Sequence, residues 1–343
     1  MVVDIGYTLN YSYNQKTTYN INYIPIGAGW PFNPAALDPT TAGNTSNSIQ
    51  QYQGGILQRT IYPGYNGISS AYFLLHNNYN ALTFNVSKRL SHGMQWGAVY
   101  TYSKAMGVTS YTPVVASNNE WNYGRLSTDR THNVQINYNY DIPNLGKITG
   151  LKPLGVITDH WEFSGITSVQ SGAPYSPPCA FTSGTASVTG GFTGTPDLSN
   201  RCEVIGNPYS NIGTNGNGQV YYNAAAFAMP ALPTGPNFSI VGPPAIGNQG
   251  GGSGPLSLPR VTNFDVTLTK AIPLGSEKRT LRLQAQAYNV FNHTEISGIN
   301  GYTSATQAQY SPTTNALTNG STLGYINGTF PNRVMAFSIR LQF

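Results

Sequence analysis

The chain closes on Arg333-Val-Met-Ala-Phe-Ser-Ile-Arg-Leu-Gln-Phe343. Met335, Phe337, Ile339, Leu341 and Phe343 share one parity, while Ala336, Ser338, Arg340 and Gln342 share the other. Successive side chains of a strand point to opposite faces, so this stretch reads as a strand with one apolar and one polar face. Chain ends are usually loose and hydrated, and a terminal aromatic on the apolar parity asks for an apolar medium. Two placements suit it: the last strand of a membrane barrel with Phe343 at the lipid boundary, or the buried last strand of a β-sandwich.

Composition separates these placements. Soluble domains carry about 25% charged residues, whereas 8% of these 343 residues are charged. Disorder does not fit either, because 39% are hydrophobic and 12% aromatic, led by 24 tyrosines, and disordered chains lack aromatics. Polar but uncharged faces with many interfacial aromatics are what a barrel with a lipid-facing band and a hydrated lumen needs. The net charge is +5, yet the basic residues are scattered, and nucleic-acid binding needs a dense basic stripe. That partner is set aside. No apolar run of about 18 residues offers a transmembrane helix. Met1-Val-Val-Asp4 lacks the pattern of a secretion signal, so the chain is expected to be the C-terminal part of a longer protein.

Read in order, alternating segments recur at 3–13, 79–90, 94–105, 130–142, 159–171, 260–270, 280–292 and 333–343. The cleanest sets Val134, Ile136, Tyr138, Tyr140 and Ile142 against Asn133, Gln135, Asn137, Asn139 and Asp141. Ser91-His92-Gly93 reads as a tight turn. The connections 143–158 and around Leu274-Gly275-Ser276 are short, whereas 172–259 shows no sustained period and reads as loop. Counting back from Phe343, every short connection falls on one rim and every long one on the other. Bacterial barrels have short periplasmic turns and long outer loops, whereas a soluble meander has no reason to sort its loops by length. The expected fold is therefore all-β: an antiparallel transmembrane β-barrel wall of about eight strands over residues 1–343.

This frame assigns faces. Phe337, Ile339, Leu341 and Phe343 are expected to meet lipid, and Glu162, Asp265, Arg282 and Arg340 to share the lumen parity. A basic residue on the lipid face costs about 2–4 kcal/mol at mid-membrane. Cys179 and Cys202 lie in one polar loop without nearby histidines, which favours a loop disulfide over a metal site.

Signatures of catalysis are missing: no Gly-x-Ser-x-Gly, no His-Glu-x-x-His and no phosphate loop ending in Gly-Lys-Ser/Thr occurs. Asp129-Arg130 with His132 is expected to be an ion pair or loop anchor, and Gly250-Gly-Gly-Ser-Gly254 a flexible loop. His76, His92, His160 and His293 stand apart as polar residues. No cofactor and no enzyme activity are expected.

A series of segments in order resembles the C-terminal part of TonB-dependent outer-membrane receptors. It runs through Asn78-Tyr-Asn-Ala-Leu-Thr-Phe-Asn-Val-Ser-Lys-Arg-Leu90, Tyr100-Thr-Tyr-Ser-Lys-Ala105, Asp129-Arg-Thr-His-Asn133 and Trp161-Glu-Phe-Ser-Gly-Ile166. It continues through Tyr222-Asn-Ala-Ala-Ala-Phe227, Asn263-Phe-Asp-Val-Thr-Leu-Thr-Lys270, Ala287-Tyr-Asn-Val-Phe-Asn-His-Thr294 and the terminal Phe343. The group it is most similar to is the Oar-like receptors with an N-terminal carboxypeptidase-regulatory-like domain. The resemblance implies a barrel of about 22 strands, a plug in its lumen, and import energised through the TonB system. Plug and N-terminal domains lie outside residues 1–343 in that reading. It also implies that the terminal Phe343 serves the barrel assembly machinery as part of its signal. The expected partners are outer-membrane lipid, assembly machinery, plug and TonB, and the expected location is a Gram-negative outer membrane. Ligand capture would fall to the loops 25–70, 172–259 and 294–331. The competing functions are a passive pore or surface adhesin and, less favoured, a soluble secreted β-sandwich binding protein.

Overall fold

A computed structural model describes residues 1–26, 59, 61–114, 121–150, 152–177, 179–181, 195, 197–198, 201–215, 218–228, 251–252, 254, 256–275, 279–300, 308–310, 317–318, 320 and 323–343. Eight long strands form one antiparallel meander: β1 (Val2–Asn20), β2 (Ser69–Ser91), β3 (Met94–Val108), β4 (His132–Asp141), β5 (Trp161–Gln170), β6 (Val261–Pro273), β7 (Thr280–Tyr288) and β8 (Val334–Gln342). Each strand hydrogen-bonds to the next in chain order. Among the described residues β1 and β8 do not pair with each other, so the sheet is an open wall.

The register carries the alternation across strands. Phe337, Ala285, Leu268, Phe163, Tyr140 and Met94 form one apolar row. The next row toward the short turns, Ser338, Gln284, Thr269, Glu162 and Asp141, points to the opposite face and is polar. A slip of one residue in any pair would exchange these faces. Phe337 and Ile339 are each 75% exposed and Phe343 is 92% exposed, so among the described residues no protein layer covers this apolar edge. That excludes the stacked-sheet alternative, in which these side chains would be interior.

The connections sort by length. β2 and β3 join through His92 (φ 53°) and Gly93 (φ 75°), both left-handed, as a two-residue hairpin loop with the sheet's twist requires. A Cβ on Gly93 would lie 2.8 Å from the Asp141 carbonyl oxygen, so the site admits glycine alone. β6 and β7 join on the same rim through 274–279. The third link there, 142–160, departs from the plain short connection expected. It folds into α1 (Leu145–Thr149) and α2 (Lys152–Thr158), helices too short for a 3.6-residue period to show in sequence. Gly150 closes α1 in the left-handed conformation, and Pro153 sits in the first turn of α2, where its missing N–H costs nothing.

The first two strands run longer than their alternation suggests. β1 carries a bulge between Ser12 and Gln15, with Asn14 at φ 55°, so its period changes phase and the continuation to Asn20 is hidden. β2 accordingly begins at Ser69 instead of about residue 79. The outer connections are also more structured than a loop reading allows. Gly251 and Gly252 pair in parallel with Gly124 and Arg125, themselves paired with Met106–Val108 of β3. These two glycines are therefore held in a ladder and not in a free loop, while Gly250 and Ser253 lie outside the described residues.

Candidate functional site

Two parts of the molecule can engage a ligand: the polar face of the wall and the layer built from the long connections. On the polar face, Glu162, Arg282 and Arg340 line one cavity of about 180 Å³ with Ser164, Thr269 and Gln284. The elements explain the cluster. Arg282 stands directly across from Arg340 in the β7–β8 ladder, and Glu162 stands across from Thr269 in the β5–β6 ladder. Like charges directly opposite repel, and none of the ion pairs among the described residues joins Glu162 to either arginine. The result is a polar recess with two cationic forks and one carboxylate, lined by neutral donors and acceptors. Asp265 shares the parity but not the recess. Its carboxylate accepts from Asn263 Nδ2 (2.7 Å) and from the backbone N–H of Asn289 (3.1 Å), which fastens the outer end of β6 to the connection after β7. Phe337, Ile339, Leu341 and Phe343 lie together on the opposite, apolar face, all exposed.

The second part is a cap. The connections 171–260 and 289–333 share a core of Tyr175, Cys202, Tyr222, Phe227, Leu256 and Ile299. Tyr222 meets Phe227 edge-on at 5.8 Å and Tyr175 at 6.2 Å, the geometry the aromatic quadrupole favours. Short ladders frame this core: Pro174–Tyr175 with Leu256–Ser257, Glu203–Val204 with Phe227–Ala228, and Ile296–Ile299 with Ile326–Thr329. Cys179 and Cys202 are joined as a disulfide with Cα atoms 5.5 Å apart, and Cys179–Phe181 pairs with Ala308–Tyr310. Burial, with Tyr209 nearby, pushes the Tyr221 phenol up to about 12, and burial lowers the Arg201 guanidinium from its ordinary value.

The remaining connections are stitched to the same segment. Asp197 accepts from the backbone N–H of Ile24 (2.8 Å) and from Asn20 Nδ2 (3.0 Å), and lies 3.5 Å from Arg59. Fully buried Asn22 donates to the carbonyls of Tyr62, Tyr65 and Asn66, so it clamps the two ends of the 21–68 connection together. Arg201 lies over the Trp121 ring at 3.9 Å and donates to Asn122 Oδ1 (2.9 Å). Arg125 donates to Ser257 Oγ (2.9 Å) and to the Asp129 carboxylate (2.8 Å).

Asp129 is thus an anchor: it is 1% exposed, and its other oxygen accepts from the N–H of Ala105 (2.7 Å). Arg130 bonds the carbonyls of Ser127 and Asp129, and His132 bonds Tyr100 Oη (2.8 Å), so the three residues of this motif do not converge on a common point. His76 stacks beside Tyr123, His92 forms the turn, and His293 bonds Glu295. Among the described residues no group of three or more His, Cys, Asp or Glu side chains is gathered to hold a metal. Sequence reading missed Asn22, Asp197, Arg125 and Arg201. Asp197 and Arg201 are rare charges inside a long neutral loop, which was the available signal.

No curated protein matches this chain. A family described as an outer membrane beta barrel domain matches residues 1–336, nearly the whole length. That match agrees with the amphipathic meander, its uncovered apolar face and its one-sided long connections, and the chain belongs to the outer membrane beta barrel domain family, an outer-membrane protein whose wall crosses lipid with strands.

Proposed function

We propose that the chain is the C-terminal wall and outer cap of a TonB-dependent receptor that imports a substrate across the outer membrane. The observation that carries this reading is the cap: the long connections fold into one stitched layer on the rim where a receptor meets its ligand. The ordered segment series that resembles Oar-like receptors supports it. In this reading Phe337, Ile339, Leu341 and Phe343 face lipid, with Phe343 contributing to recognition by the assembly machinery. Glu162, Arg282 and Arg340 face the lumen, where a plug encoded upstream of residue 1 would sit against the polar recess. The cap binds and the wall conducts; no residue has a catalytic role.

A second reading, a surface adhesin, gains from the same cap, since a disulfide-closed layer with its own core binds without transporting. One experiment separates them. The parent gene with its upstream frame is expressed in cells with and without an intact TonB system, and uptake of candidate metal chelates, glycans and peptides is measured. Uptake that requires TonB supports the receptor; cell-surface binding that persists unchanged without TonB, with no uptake, supports the adhesin.

A further inference from the structure

The short-turn rim carries a feature that neither import nor capture uses: the helical hairpin of α1 and α2. We propose that this hairpin is a lipid-interface anchor, resting in the headgroup boundary of the leaflet on the short-turn side. The proposal relies on the apolar face of the wall meeting lipid.

The hairpin is firmly built. Its helices cross where Gly146 meets Gly155; a Cβ on Gly146 would lie 2.2 Å from Gly155 Cα, so both must stay glycine for this approach. The buried Asp159 carboxylate accepts from the N–H of Gly146 (2.8 Å), and Asn144 Oδ1 accepts from the N–H of His160 (2.8 Å). Both ends are therefore tied to the start of β5.

The hairpin lies toward the apolar side. Trp161 and Lys270 both occupy the apolar parity, paired across the β5–β6 ladder. Trp161 Nε1 donates to the Ile157 carbonyl at 2.7 Å and Lys270 Nζ donates to it at 3.2 Å; Lys270 also donates to the Asp159 carbonyl. Lys270 thus runs its aliphatic stem along the apolar face and delivers its ammonium to the rim, as lysines do at membrane boundaries. An indole whose N–H is satisfied by a carbonyl of the rim suits the same level.

Among its described side chains the hairpin shows outward four apolar groups beside Thr149. Leu145, Ile148, Val156 and Ile157 are exposed, the last three by 68–70%. Lys147 and Lys152 are the charged residues of the two helices, and neither helix contains an acid. Apolar side chains with basic residues on short helices match an interface lined by phosphate headgroups. The surface is continuous with the wall, for an apolar groove of about 290 Å³ lined by Trp161, Leu268, Leu283, Phe337 and Ile339 opens beside it. A water-facing turn has no use for this arrangement, whereas a bilayer covers hairpin and groove in one layer.

The test uses the full chain with the Cys179–Cys202 bridge intact, reconstituted in vesicles of phosphatidylethanolamine and phosphatidylglycerol. Nitroxide labels are placed on Ile148→Cys, Val156→Cys and Ile157→Cys, with Phe337→Cys as the wall reference and Gln284→Cys as the polar reference. Collisions with dissolved oxygen and with a water-soluble nickel chelate are compared. The hairpin labels should resemble Phe337, with chelate collisions severalfold below those at Gln284. Hairpin labels as open to chelate as Gln284, with Phe337 still protected, overturn the anchor and leave the face assignment standing. Chelate reaching Phe337 as well overturns the face assignment and the anchor with it.

Discussion

The wall and the cap are both β-rich, yet they are held by opposite means. In the wall, backbone ladders run through eight strands in sequence and the apolar side chains point away from the protein. In the cap the ladders are two to four residues long, and the apolar side chains point inward to a small core. The wall depends on an external apolar solvent, because among the described residues its outward apolar side chains have no protein to pack against and lipid supplies that medium. The cap depends on its own interior, a disulfide and buried polar clamps such as Asn22 and Asp129. A region that borrows its apolar medium can afford exposure of Phe337 or Ile339; a region that makes its own cannot expose Tyr222.

Substitutions should separate the two regions. The largest effect is expected for Tyr222→Ala, which empties the cap core and removes the bond from Tyr222 Oη to the Asn300 carbonyl. Truncating a buried aromatic costs about 3–5 kcal/mol. An external protease should then cut the cap, while the heat-dependent gel mobility that reports the folded wall is kept. Loss of both together would mean that cap and wall form one cooperative unit. Next is Ile339→Lys, expected to cost the wall about 2–4 kcal/mol if it lies near mid-membrane. Ser338→Lys, on the other face, should leave the denaturant midpoint in vesicles nearly unchanged. The reverse result would invert the faces.

Reduction of the Cys179–Cys202 bridge comes third. It opens a loop with a sequence separation of 23, for which chain-entropy arguments give about 3 kcal/mol. Protease sensitivity of the cap should rise with reductant while the wall midpoint stays fixed. The smallest effect is on the wall alone: Arg340→Gln removes the charge opposite Arg282. Relief of a directly opposed like pair is worth about 0.2–1 kcal/mol, so the wall midpoint should rise slightly.

The same contrast decides how much could be read from sequence. Eight strands and their faces were legible because lipid outside and water inside impose a strict period of two, as along Val134 to Ile142. Where that period changes phase, at the Asn14 bulge, the reading stopped early and missed the rest of β1. The helices α1 and α2 were hidden because five and seven residues show less than two clear turns of pattern. The cap was read as loop since its core residues, Tyr175, Cys202, Tyr222, Leu256 and Ile299, lie far apart in the chain and follow no period. Of the candidate site, Glu162, Arg282 and Arg340 were legible as one face. That Asp265 would be consumed by Asn263 and Asn289 depends on where the chain turns after β7, which alternation does not encode.

One consequence follows from the stitching of the outer connections through 171–260. Asp197, Arg201, Ser257 and Ile299 bind three separate excursions of the chain, those after β1, β3 and β7, to that one segment. Such a lattice does not open one flap at a time: a pull on the excursion after β1 is transmitted through 171–260 to those after β3 and β7. Under the proposed capture role, a ligand seated on one of these excursions would be felt by the other two.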